Sequence, residues 1–388
     1  MKLDYYNCPK PGDIESIKLP ETPEFVKYVP DFGAINKLAE EYQKYENVLI
    51  MGHGGSISSN VGIYYALIEF TKKKAYFLST IDPDYIYELK QKLKPENTLV
   101  ITITKSGENT TQIEASMQFT EYPWLVITGK SSPFREVGEK LKAKVILHPP
   151  IGGRYTGLTE VSLVPAAILG LDAKALYEGA KQLYYLYDKE NLAWKAASVF
   201  YQLEQKGYAD VFMPIYSHNL FPLSNLIVQL CHESFGKNGK GQTYLAAEAP
   251  ESQHHTNQRF FGGQKNICGF FINSDSVLHP TITSYPHLIH SVQIKGRVLF
   301  DINKIPLEKS LEYELKGTLE DARINGIPMA HLSMAGYSPR EIGSLIAFWQ
   351  IFAVYSSVLR DVNPFDQPQV ENSKRISFDK RLQYKGLL

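Results

Sequence analysis

Several short groups of residues in this chain have types and spacings that chemistry could use. Gly52-His53-Gly54-Gly55-Ser56 combines glycines, which let a backbone approach a ligand closely, with a hydroxyl. It is either a ligand loop or a bare structural turn. Its spacing argues against a dinucleotide fingerprint with Asp82 as the ribose acid, because the third glycine would fall on Ile57. Thr104-Lys105-Ser106-Gly107-Glu108-Asn109-Thr110-Thr111 packs hydroxyl and amide side chains beyond what helix capping needs. Such a cluster suits a phosphate monoester, provided the Glu108 carboxylate points away. Gly152-Gly153-Arg154-Tyr155-Thr156 holds an arginine that could meet a developing oxyanion or pair structurally with a carboxylate. Gln229 and Glu233 lie one helical turn apart and share a face, so Glu233 is either a base or a solvated charge. His254 and His255 invite a metal, yet no second cluster with ligand spacing accompanies them. Asn363-Pro364-Phe365-Asp366-Gln367 precedes Lys374 by what reads as two helical turns.

The elements that must position these groups alternate. Strands are expected at 47–52, 75–80, 98–104, 124–129 and 144–148, with helices at 58–71, 84–93, from 104 to about 119, and 134–142. Continuous Val/Ile/Leu strands between amphipathic helices mean a parallel sheet covered on both faces. Such sheets bind ligands at the carboxyl ends of their strands, so the loops after Met51, Thr104 and His148 are where chemistry belongs. Residues 155–206 read as mostly helical and could separate two lobes. A second alternation follows, with strands at 211–216, 244–249, 267–272 and 329–334, and helices at 221–235, 307–323 and 339–360. Residues 1–30 hold five prolines and read as an arm on the surface.

The chain has 388 residues, which suggests two or three domains, and its 44% hydrophobic and 21% charged residues are ordinary globular usage. Lys plus Arg equals Asp plus Glu at 41 each, so the basic footprint of a nucleic-acid or membrane-surface binder is absent. Three cysteines (Cys8, Cys231, Cys268) make no disulfide framework and favour a reducing, cytoplasmic setting. The N-terminus lacks the apolar core of a signal peptide. The uncharged stretch Ile342–Leu359 is long enough to span a membrane, but its Gly343, Ser344, Gln350, Ser356 and Ser357 favour a buried core or interface helix.

Taken together the motifs resemble the glucose-6-phosphate isomerase family, which is built from two SIS (sugar isomerase) domains. GGS at 54–56, TKSG at 104–107, GGRYT at 152–156, VPAA at 164–167, ESFGK at 233–237, QH at 253–254 and NPFDQPQVENSK at 363–374 occur in the family's order, over about 320 residues. The phosphate loop carries one extra residue around Glu108, and His255 departs from the commoner G-Q-H-S pattern. The resemblance implies an α/β fold of two doubly wound, parallel-sheet SIS domains in three αβα layers. Their boundaries would be an arm at 1–30, domains at 31–170 and 207–362, a helical linker at 171–206 and a C-terminal segment at 363–388 that carries the lysine.

The resemblance also implies interconversion of D-glucose 6-phosphate and D-fructose 6-phosphate through an enediolate, with no cofactor and no metal. Glu233 would carry the proton between C2 and C1, Arg154 would face the enediolate, and His254 and Lys374 would open the ring. Gly55, Ser56, Thr104, Lys105, Ser106, Gly107, Asn109, Thr110, Gln229 and Gln367 would bind the phosphorylated hexose. His254 would cross from the partner in a homodimer. An isomerase that also accepts mannose 6-phosphate, and a non-catalytic sugar-phosphate sensor, are the competing expectations.

Overall fold

The computed structural model describes residues 1–388 except 13, 15, 16 and 18. The chain opens with strand β1 (Lys2–Tyr6) and reaches its first parallel sheet through a helix at Phe32–Glu41. That sheet comprises β2 (Asn47–Met51), β3 (Lys74–Leu78), β4 (Thr98–Thr104), β5 (Trp124–Thr128) and β6 (Lys144–Leu147), in the order β3-β2-β4-β5-β6. Every residue of β4 is buried, as expected of a central strand covered on both faces. The connection from β2 goes to one side and β4 lies on the other. The crevice of this switch point therefore opens beyond Met51 and Thr104, between the 52–56 and 104–111 loops.

The second sheet contains β7 (Asp210–Tyr216), β8 (Thr243–Glu248), β9 (Ile267–Ser274) and, after a short hairpin of β10 (Gln293–Ile294) and β11 (Arg297–Val298), β12 (Met329–Met334). Its order is β1-β12-β9-β7-β8. The two halves are thus doubly wound αβα layers. The departure is at the edge: residues 2–6, expected as part of a surface arm, pair antiparallel with β12, so this sheet is mixed. Pairing with a strand more than 300 residues away is invisible in the local pattern of KLDYY.

Between the sheets lies a helical layer. The 21-residue helix Pro339–Leu359 is apolar enough to cross a membrane by composition, but 89% of its apolar window is buried inside the chain. It packs on helices Ala173–Tyr185 and Leu192–Gln205. Two glycines permit that approach. A Cβ on Gly343 would sit 1.8 Å from the Leu176 carbonyl oxygen, and one on Gly179 1.9 Å from that of Arg340. Ser344 Oγ then donates across the contact to Gly179 O at 2.6 Å. Trp349, Phe348, Phe352 and Tyr355 fill the space around it, each fully buried aromatic contributing roughly 1.5–3 kcal/mol by removal from water.

Candidate active site

Arg154 is the hub. It sits in the short 3₁₀ turn Gly153–Tyr155 after β6, with its side chain 3% exposed. Nη1 donates to Glu233 Oε2 at 3.0 Å and to Gln367 Oε1 at 2.8 Å. Nη2 donates to the carbonyls of Pro364 (2.5 Å) and Asp366 (3.0 Å), and Nε donates to Ser234 Oγ at 2.9 Å. A buried guanidinium needs such a full set of acceptors, and the rigid fork supplies the directions. Glu233 lies on the last turn of helix Ser224–Phe235, and its side chain keeps 29% exposure. Its other oxygen, Oε1, accepts from Gln229 Nε2 at 3.1 Å, the same-face contact expected four residues apart. Gln229 Oε1 in turn accepts from Ser58 Oγ at 3.1 Å.

The glycine loop joins this cluster by close approach. Gly54 has φ of +55°, and a Cβ there would lie 2.7 Å from Gln229 Nε2. A Cβ on Gly55 would fall 2.1–2.3 Å from the backbone of Gly153 and Arg154. Only glycines let the turn after β2 touch both Gln229 and the arginine turn. Ser56 is buried beside them at the start of helix Gly55–Ala66. The neighbouring His53 reaches the other way: its Nε2 is 3.1 Å from Thr111 Oγ1. Thr111 gives its own proton to Asn109 Oδ1, so Nε2 is the donor and carries the hydrogen. Burial holds the His53 pKa below its usual range.

The hydroxyl loop faces a cavity of about 750 Å³. Ser106, Asn109, Thr110 and Thr111 line one side, and Lys374 and Arg375 of helix Glu371–Tyr384 the other. Thr104 does not open onto it: it is buried and its Oγ1 accepts from Gly107 N at 3.1 Å. Asn109 lines the cavity, but its Oδ1 is spent capping the next helix through Thr111 N and Gln112 N. Gly107 has φ of +72° and a Cβ there would collide with Ser132 Oγ at 2.1 Å. Lys105 is exposed; so is Glu108, which lines the same cavity instead of standing clear of it as the phosphate reading expects, with Lys374 and Arg375 across the cavity as its counter-charges.

Three candidates sit differently from the sequence expectation. Gln367 and Lys374 do not share a helix: residues 363–367 form a turn, a 3₁₀ turn spans Pro368–Val370, and the helix begins at Glu371. Gln367 therefore joins Arg154 while Lys374 lines the hydroxyl cavity, paired with Glu371 at 2.8 Å. The His254 side chain is exposed on the 3₁₀ turn after β8 and makes no hydrogen bond with the described residues, so no bond ties it to Arg154 within this subunit. Among the described residues no group of three or more His, Cys, Asp or Glu could hold a metal ion, the His254–His255 pair included. Asp82 is a helix cap, accepting from Asp84 N at 3.0 Å.

Ser58, Ser234, Lys237, Tyr155 and the carbonyls of Pro364 and Asp366 complete the cluster, none with a role read from the sequence. Tyr155, Ser234 and Lys237 stand inside the GGRYT and ESFGK motifs, and Ser58 lies just beyond the glycine loop. Main-chain carbonyls leave no mark in a sequence.

No protein-family model matches the chain. It is 25% identical over 405 residues to the glucose-6-phosphate isomerase of Carboxydothermus hydrogenoformans, covering 95% of this chain and 84% of that protein. A solved Thermus thermophilus protein described as hypothetical shares the fold with a TM-score of 0.82 at 24% identity, over 92% of this chain and 88% of that one. A glucose-6-phosphate isomerase from Chlamydia trachomatis superposes with a TM-score of 0.76 at 19% identity, over 98% and 82% of the two chains. The similarity read from scattered motifs thus extends along nearly the whole chain, and the two-domain SIS fold is shared throughout.

Proposed function

We propose that the chain is an aldose–ketose isomerase that interconverts D-glucose 6-phosphate and D-fructose 6-phosphate, the activity that its similar proteins are named for. The observation that carries this is Glu233 Oε2 at 3.0 Å from Arg154 Nη1, with Glu233 still partly open to a ligand. A carboxylate beside a fixed guanidinium is what an enediolate requires: a base for the C2 proton, and a charge that meets the oxyanion formed when it leaves. Glu233 takes the proton from C2 and returns it at C1. Arg154 carries the charge in between, and Gln367 keeps it aimed. Ser106, Thr110 and the backbone around Gly107 hold the phosphate in the 750 Å³ cavity, where remote binding energy orients the reacting carbons.

Ring opening falls to Lys374, on the cavity wall, and to His254. The exposure of His254 supports its acting on a neighbouring subunit of a homodimer. The segment between β9 and helix Leu307–Ile324 supports association too, since Ile282, Leu288, Val292 and Phe300 are exposed there, Leu288 by 90%. A cytoplasmic role in glycolysis or gluconeogenesis fits three free thiols and a net charge of zero. The test is a coupled assay in both directions with glucose 6-phosphate and fructose 6-phosphate in the presence of EDTA. The expected result is turnover that survives chelation. Sugar-phosphate binding seen as a thermal shift, without turnover, overturns the proposal in favour of a sensor.

A further inference from the structure

Lys237 lies two residues beyond helix Ser224–Phe235 and is 6% exposed, a place lysine occupies only when its charge is met. An ammonium has three donors. Here they go to the Asn363 carbonyl, to Asp366 O at 2.6 Å and to Asp366 Oδ1 at 2.6 Å. The whole donor capacity of one buried cation is spent on a single turn, residues 363–367.

That turn is the one Arg154 grips from the opposite side. Asp366 O accepts from both Lys237 Nζ and Arg154 Nη2, and Pro364 O accepts from Arg154 Nη2 and Tyr155 Oη. The Phe365 ring packs on Tyr155, with centroids 5.4 Å apart. Gln367, the last residue of the turn, accepts from the same Nη1 that holds Glu233. Helix Glu371–Tyr384, with Lys374, starts just beyond. Continuous contacts therefore run from Lys237 through the turn to Arg154, and from Arg154 to Glu233.

We propose that Lys237 is a positioning residue: it clamps the 363–367 turn so that Arg154 and Gln367 keep their aim on Glu233 and on the ligand. The claim rests on the isomerase reading of this site. An ordinary structural ion pair would need only the Asp366 carboxylate, which is half exposed. Two of the three contacts instead go to main-chain carbonyls, which fix the place of the turn rather than cancel a charge. Lysine and arginine are not interchangeable at such a spot, because a planar fork cannot reproduce three convergent bonds from one nitrogen.

The test compares Lys237→Met, Lys237→Arg and Asp366→Asn with wild type by kcat, KM and amide hydrogen exchange of residues 363–370. Asp366→Asn preserves both carbonyl contacts. It should keep kcat within about tenfold and leave exchange in the turn near wild type. Lys237→Met should speed exchange in the turn at least tenfold, lower kcat by about 100-fold or more, and change KM less than fivefold. Lys237→Arg should fall with Lys237→Met rather than with wild type. Unchanged exchange in Lys237→Met, or kcat within threefold of wild type, overturns the clamp; so does Asp366→Asn matching Lys237→Met in kcat loss. If Lys237→Met does not fold, Lys237→Arg and Asp366→Asn decide, and equal effects in those two overturn it. Wild-type protein without turnover rejects the isomerase reading separately, and hydrogen exchange still judges the clamp.

Discussion

Glu233→Gln is the most direct perturbation, because it removes a charge and a basic site while keeping the shape. Both carboxylate oxygens accept, Oε2 from Arg154 Nη1 and Oε1 from Gln229 Nε2. Glutamine offers one acceptor, so its new NH₂ must face a donor unless Gln229 turns its amide over. It can, because its partner Ser58 is a hydroxyl that accepts as readily as it donates. The stability cost is then that of one bond between charged groups, about 1.5–3 kcal/mol. The larger figure for breaking a fully buried pair is too high here. Glu233 keeps 29% exposure, and Arg154 retains four acceptors in Ser234, Gln367, Pro364 and Asp366.

The chemical cost is larger. Losing a well-placed general base removes about 10²–10⁴-fold in kcat, or about 2.7–5.5 kcal/mol at 1.36 kcal/mol per decade. KM should move only a few-fold, since the proposed phosphate site is the 104–111 loop and not Glu233. The assay is coupled turnover in both directions on protein shown to be folded by its thermal midpoint. Folded Glu233→Gln protein that turns over within about tenfold of wild type refutes the assignment of the base.

Other outcomes follow from the same geometry. Co-expressing Glu233→Gln and His254→Gln chains should restore activity to about a quarter of wild type, because half the dimers are mixed and each rebuilds one of two sites; a mixture no more active than its parents rejects His254 acting across the interface. Gly55→Ala should destabilise by roughly 1–3 kcal/mol and cut kcat at least tenfold, since its Cβ meets backbone, not a movable side chain, at 2.1–2.3 Å; unchanged melting and kcat would show that the two loops can part freely. His148, buried at the end of β6 with Nδ1 2.7 Å from Pro149 O, has its pKa pushed down by burial to about 4. The unfolded chain binds that proton first, so His148 should cost up to about 3 kcal/mol of stability as pH falls from about 6.5 to 4. His148→Asn should flatten that part of the stability curve, and parallel curves for the two proteins would disprove it.

Strands buried on both faces were the legible part of the fold. TLVITIT begins and ends where the sequence reading puts it, at Thr98 and Thr104, because all seven side chains are buried and nothing charged interrupts them. The failures have physical causes. β1 takes its conformation from β12, a partner its own five residues do not announce. The hairpin of β10 and β11 did leave a signal, Lys295-Gly296 between short alternating runs. Both residues adopt positive φ, +48° and +75°, as a tight two-residue turn demands.

The site divides along the same line. Glu233, Arg154, Gln229 and Gln367 could be named from motifs and do meet, because each projects a polar side chain whose type the sequence displays. What holds them is different in kind. The backbone of the 363–367 turn accepts bonds from Arg154 and Lys237, and the backbones of Gly55 and Gly153 touch where a methyl group would not fit. The glycine contact is legible only as the absence of a side chain, and the carbonyl contacts depend on no side-chain type at the accepting position, so sequence motifs could name the proposed reacting groups but not the turn that holds them. Lys237 shows the boundary: it stood in full view inside ESFGK, yet its partners are two carbonyls and a carboxylate more than 120 residues away. Reading a lysine as a positioning residue requires knowing where its three protons go, and that is a property of the folded chain.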